Sequence, residues 1–129
     1  MSIKKKILVV DDEPDQCALV RRILERAGYE VEEAYDGREC LDKVRANPPD
    51  AIVLDVVMPE IDGLAVCKTI KADGHYCHIP ILILSAESPC VTSTRFSRNP
   101  ELYSPADDFL PKPASAEEIT RGLAALLNR

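Results

Sequence analysis

No apolar stretch in this 129-residue chain approaches the ~18 residues that a membrane-spanning helix requires. A secretory leader is lacking as well. Met1-Ser2-Ile3-Lys4-Lys5-Lys6 starts like one, but the apolar run Ile7-Leu8-Val9-Val10 stops at Asp11-Asp12-Glu13, too short for a leader's hydrophobic region. These absences predict a cytoplasmic protein with no membrane contact. Paired cysteine motifs are also missing. Cys17, Cys40, Cys67, Cys77 and Cys90 are odd in number, widely spaced and never arranged C-x-x-C, so they encode neither a disulfide framework nor a plain zinc site. His75, Cys77 and His78 lack a matching second half and read as loop residues. Positive charge is outnumbered, 16 basic against 22 acidic residues for a net charge of −6, which disfavours direct binding of nucleic acid. There is no repeat period, linker or low-complexity tail.

What is present suits one domain over residues 1–129, long enough to fold without disulfide or metal. Residues 4–10 predict a buried strand, in which Ile7 to Val10 form a mostly β-branched run. Asp12 or Glu13 then offers a cap for a helix with Pro14 in its first turn, carrying Cys17, Val20, Ile23 and Leu24 at helical spacing and stopped by Gly28. Tyr29 to Tyr35 alternates and predicts a strand near an edge. A helix with Cys40, Leu41 and Val44 ends before Pro48-Pro49. Ala51 to Leu54 is a third strand, stopped at Asp55. Gly63 to Ala72 predicts a helix, Ile79 to Leu84 a fourth strand ending at Ser85, and Phe109-Leu110 a short fifth strand. Ser115 with Glu118 forms a capping-box signature for a last helix through Leu127. Strands alternating with helices predict a parallel α/β sheet covered on both faces. Residues 87–104 depart from this pattern. Pro89, Pro100, Asn99 and a run of serines and threonines predict an irregular or shortened fourth crossover helix.

Ligand sites in such sheets lie beyond the carboxyl ends of the strands. Strand one delivers Asp11 and Asp12 there, strand three Asp55, strand four Ser85 and strand five Lys112. Three clustered carboxylates repel one another unless a cation sits among them, and oxygen-only ligation is the preference of Mg²⁺. A hydroxyl and an ammonium beside that metal suit a phosphoryl group.

Taken singly, each residue has a structural explanation. Asp11-Asp12-Glu13 could be an acidic helix N-terminus, Asp55 and Ser85 turn residues, and Lys112 a solvated cation. The joint arrangement favours the site. It also carries a resemblance. Ile7-Leu8-Val9-Val10-Asp11-Asp12-Glu13, Val53-Leu54-Asp55 with Met58-Pro59 and Asp62-Gly63, Ile83-Leu84-Ser85-Ala86, and Ala106-Asp107-Asp108-Phe109-Leu110-Pro111-Lys112-Pro113 occur in order at strand ends. In these the chain resembles a two-component response-regulator receiver domain of the CheY-like family.

The resemblance implies a flavodoxin-like strand order 2-1-3-4-5. It implies Asp55 as the acceptor of a phosphoryl group from a sensor histidine kinase or phosphotransfer protein. It implies Mg²⁺ held by Asp12, Asp55 and the backbone carbonyl of Val57, with Asp11 in support. Ser85 matches the switch hydroxyl, Lys112 the phosphate-pairing lysine, Phe109 the aromatic switch residue, and Lys112-Pro113 a cis peptide. Such a module switches binding of a downstream protein and catalyses only its own phosphorylation and dephosphorylation.

Two other functions compete. A Mg²⁺-dependent aspartyl-phosphate phosphohydrolase usually has a second aspartate two positions after the nucleophile, where this chain has Val57. A degenerate receiver acting without phosphorylation is disfavoured by the intact set Asp11, Asp12, Asp55, Ser85 and Lys112. Val57 also predicts slow loss of the phosphoryl group, since it has no group to orient an attacking water, although Glu87 could partly restore one.

Overall fold

The computed structural model describes residues 4–56, 61–85, 108–111 and 115–128. Their chain order is β1 (Lys6–Val10), α1 (Pro14–Arg26), β2 (Glu30–Ala34), α2 (Gly37–Ala46), β3 (Ala51–Val56), α3 (Ile61–Ala72), β4 (Ile81–Ser85), β5 (Asp108–Pro111) and α4 (Ala116–Leu127). All strand pairings are parallel, in one five-stranded sheet of order β2-β1-β3-β4-β5. This is the expected doubly wound order, with the alternating Glu-rich strand at an edge. The 87–104 stretch, with its expected irregular helix, and the Lys112-Pro113 peptide lie outside the described residues.

The three apolar runs are buried on both sides of the sheet, and period-two alternation divides them. Leu8, Val10, Ile52, Leu54, Ile81 and Ile83 face one core with Cys40 and Val44 of α2 and Val66, Cys67 and Ile70 of α3. Ile7, Val9, Ala51, Val53, Leu82 and Leu84 face the other with Cys17, Val20 and Leu24 of α1 and Ile119, Leu123 and Leu126 of α4. Cys17, Cys40 and Cys67 are therefore core residues, as their helical spacing predicts.

Helix ends follow local chemistry. Pro14 opens α1 where no intrahelical donor is needed, although Glu13 at the N-cap makes no side-chain capping bond. Gly28 follows α1 with φ +98°, a left-handed conformation that glycine adopts without a Cβ clash. Asp36 caps α2 by accepting from the Glu39 amide at 2.7 Å. Ser115 and Glu118 form the full capping box on α4. Several element ends differ from the sequence reading. β1 begins at Lys6 rather than at residue 4. β3 continues past Leu54 to Val56, because Asp55 and Val56 stay paired with Leu84 and Ser85 of the neighbouring strand. α3 begins at Ile61 rather than Gly63, since an interior glycine costs only about 1 kcal/mol, which a packed helix can absorb. β4 begins at Ile81 rather than Ile79, because Pro80 has no amide to donate to the ladder.

Candidate functional site

Register aligns the carboxyl ends of the strands. Ala34, Val10, Leu54, Ile83 and Phe109 form one row across the sheet. The next row toward the carboxyl edge contains Asp55, Leu84 and Leu110, and Asp11 directly follows Val10 beside it. The row beyond contains Val56, Ser85 and Pro111, with Lys112 next in sequence. With neighbouring strands about 4.8 Å apart, the backbone carries Asp11, Asp12, Asp55 and Ser85 to one edge of three adjacent strands. The Asp55, Ser85 and Phe109 side chains and the residues Val57 and Lys112 lie outside the described residues.

Asp11 and Asp12 occupy different environments. Asp11 is 2% exposed, the one buried charged residue among those described. Its amide donates to the Ala34 carbonyl at 3.1 Å, which extends the β1–β2 pairing by one residue. Its Oδ1 accepts from the Glu13 amide at 3.1 Å, turning the chain into α1. Asp12 is exposed at the same corner. One carboxylate is thus fixed by backbone and its neighbour reaches solvent. This oxygen-only pair fits a hard cation that retains part of its water shell. No group of three or more His, Cys, Asp or Glu able to hold a metal is formed among the described residues.

Three features of this corner escaped the sequence reading. The Cys17 thiol lies beneath it, donating toward the Asp11 carbonyl at 3.5 Å and near the Ala34 and Val9 carbonyls at 3.8 and 4.0 Å. A weak donor there ties α1 to the end of β1.

Beside the corner, Glu33 and Tyr35 bracket the end of β2. The Tyr35 hydroxyl donates to Glu33 Oε1, and Arg21 Nη1 donates to Glu33 Oε2 at 3.1 Å. Arg21 Nε also reaches Glu25 at 3.0 Å, and Lys43 Nζ donates to the Glu33 carbonyl at 2.6 Å. The Tyr35 hydrogen bond holds Glu33 below the usual carboxylate range, against opposing desolvation and with help from Arg21. The same bond is the main reason the Tyr35 phenol is pushed up to about 12. Period two in β2 places Glu33 and Tyr35 on one face, a signal that the sequence carried.

The third feature is a close approach at the start of α2. A Cβ on Gly37 would sit 2.5 Å from Val66 Cγ2. No local sequence signal marks it, because the contact joins two helices.

Comparison with known proteins follows the same line. The family model of the response regulator receiver domain matches residues 7–124. Response regulator MprA of Mycolicibacterium vanbaalenii is 45% identical over 124 residues, covering 96% of this chain and 51% of that protein. The chain spans about half the length of the curated relatives it matches. Among solved structures, the chemotaxis response regulator CheY4 of Vibrio cholerae has a TM-score of 0.81 at 34% identity, covering 96% of this chain and 99% of the other. The receiver domain of a Francisella response regulator has a TM-score of 0.80 at 31% identity, covering 98% of each.

Proposed function

The chain belongs to the response regulator receiver domain family, and on that premise we propose that residues 1–129 form one receiver that accepts a phosphoryl group on Asp55. The supporting observation is the register that brings Asp55 level with the residue after Val10, beside buried Asp11 and exposed Asp12, with Ser85 one strand over. The donor is a phosphohistidine on a sensor kinase or a phosphotransfer protein. An Asp55 carboxylate oxygen bonds to phosphorus as the phosphorus–nitrogen bond breaks, and the electron pair leaves with the imidazole. Mg²⁺, when bound, offsets charge on the transferred group. Asp12 and Asp55 with the Val57 carbonyl would hold it, and Asp11 would fix the corner from below. Lys112 pairs with a phosphoryl oxygen, and Ser85 donates its hydroxyl to another. The family is a signalling one, and the chain acts on no external substrate in this reading. Phe109 follows Ser85 in the switch that changes affinity for a downstream protein. The net charge of −6 supports a protein rather than a nucleic acid as direct partner. A cytoplasmic site of action belongs to this reading because it is usual for the family. Among the described residues no helix is long and apolar enough to cross a membrane.

Incubation with Mg²⁺ and acetyl phosphate, followed by intact-mass measurement, tests the assignment. The wild type gains about 80 Da, the mass of one phosphoryl group, and Asp55→Asn gains nothing. Labelling of the Asn variant to the wild-type extent would refute Asp55.

A further inference from the structure

Cys17 sits near the amino end of α1, fully buried in the core that also holds Val9, Val20 and Leu24. A helical Cα–Cβ bond tilts toward the helix amino end. The side chain therefore leans back over the turn that leads out of β1. There its sulfur meets three main-chain carbonyl oxygens, those of Asp11, Ala34 and Val9, at 3.5, 3.8 and 4.0 Å. Ala34 ends β2, and Asp11 follows the last residue of β1. A side chain needed for packing alone gains nothing from facing these oxygens, whereas a thiol has one proton to donate.

The shortest of the three contacts falls on the peptide that links the acidic pair. The Asp11 carbonyl and the Asp12 amide belong to one planar unit. A donor that fixes the carbonyl therefore fixes the direction in which the chain enters Asp12. Asp11 itself is also tied at both its other polar groups. Its amide donates to the Ala34 carbonyl at 3.1 Å, and its Oδ1 accepts from the Glu13 amide at 3.1 Å. Asp12 is exposed, so its direction depends chiefly on the peptide that precedes it.

We infer, on the metal reading proposed above, that Cys17 is a positioning residue: its thiol holds the Asp11–Asp12 peptide in the orientation in which Asp12 receives Mg²⁺. The thiol touches neither the metal nor the phosphoryl group. Without it every ligand remains, but the peptide samples more orientations, and binding must then order it. Affinity falls by that ordering cost. A partner bonded directly to a metal ligand is commonly worth about 10- to 100-fold in affinity. A weak donor acting through one peptide is worth less, about three- to tenfold.

Titration of the metal-free 129-residue chain with magnesium chloride, followed by amide chemical shifts, tests this. Cys17→Ala and Cys17→Val should each raise the Mg²⁺ Kd about three- to tenfold, although the first leaves a void and the second fills it with an apolar group. Val20→Ala, one turn on in the same core, keeps the thiol. It should lose stability in urea as buried truncations do, yet bind Mg²⁺ as the wild type does. Asp12→Ala, which removes a proposed ligand, marks the level of a lost site. Wild-type affinity in Cys17→Val would show that position 17 needs volume and not a donor, and would overturn the inference. Equal weakening in Val20→Ala would trace the effect to a general loosening of α1 and overturn it too. Both outcomes leave the metal site standing as long as Asp12→Ala binds poorly. If the wild type and Asp12→Ala titrate alike, the metal reading itself fails and takes the role of Cys17 with it.

Discussion

At the scale of single residues, the strand-end corner depends on groups whose ionisation is set by their neighbours. Glu33 and Tyr35 illustrate this with opposite signs. The Glu33 pKa is lowered from 4.5 in the folded state. Its contribution to stability is therefore present above pH 4.5 and is lost as pH falls through the folded value. The Tyr35 pKa is raised from 10.0 to about 12. Its contribution is fully present below pH 10 and disappears as pH rises through about 12. Between those limits the network joins β2 to α1. Ultraviolet titration of the phenolate band should show one of the 4 tyrosines ionising well after the normal range. Glu33→Ala should bring it back toward 10.0. If every tyrosine ionises together in the wild type, the bond is not formed in solution.

Legibility at this scale divides along sequence distance. The strand-end places of Asp11, Asp12, Asp55 and Ser85 could be read because each lies at the end of an apolar run, and a run's end is a local property. The Arg21–Glu33 pair and the Cys17 contact could not, since the partners lie twelve and six positions apart and the chain between them must fold before either pair meets. Cys40 shows the partial case. Its helical spacing predicted burial, and burial together with nearby Cys67 pushes its thiol up to about 12. In a Cys90→Ser background, a thiol reagent near neutral pH should label exposed Cys77 rapidly. Cys17, Cys40 and Cys67 should be labelled only on unfolding. Rapid modification of a second cysteine would contradict the packing of one of the two cores.

At the scale of elements, the helices were legible through their ends and faces but not through their mutual approach. The capping box of α4 and the glycine after α1 were readable because capping chemistry is local. The start of α3 was misplaced because Gly63 resembles a breaker when only propensity is weighed. The α2–α3 approach at Gly37 was invisible, since it depends on a valine 29 positions away. That approach can be measured. Gly37→Ala would gain about 1 kcal/mol of helix propensity. It would also force a methyl against Val66, a β-branched side chain with little rotamer freedom. Overpacking of this kind costs about 1–3 kcal/mol, so net destabilisation is expected on urea denaturation. Val66→Ala should restore room. In the double variant Gly37→Ala should become neutral or stabilising. An equal loss from Gly37→Ala in both backgrounds would show that the methyl's obstacle is not Val66.

For the whole molecule, the fold and the site share one logic. Two apolar cores fix the sheet from both faces, which leaves the carboxyl edge free to hold charge that the fold itself does not need. In the proposed site, Asp11, Asp12 and Asp55 would disfavour the folded state through mutual repulsion, and a bound cation would relieve it. Stability should therefore be linked to Mg²⁺. A ligand that binds only the native state adds stability in proportion to the logarithm of its concentration, about 1.4 kcal/mol per tenfold increase above its Kd. The unfolding free energy measured in urea across a Mg²⁺ series should rise with that slope in the wild type, and the midpoint with it. Asp12→Ala should be more stable than the wild type without metal, because it removes one repelling charge. It should also gain far less from Mg²⁺. This reversal of order separates a metal-binding acidic corner from an ordinary helix terminus, where losing Asp12 would weaken the protein at every Mg²⁺ concentration. A wild-type midpoint that ignores Mg²⁺, or parallel responses in the two proteins, would remove Asp12 from the metal site and with it the physical reason for placing three carboxylates along one edge.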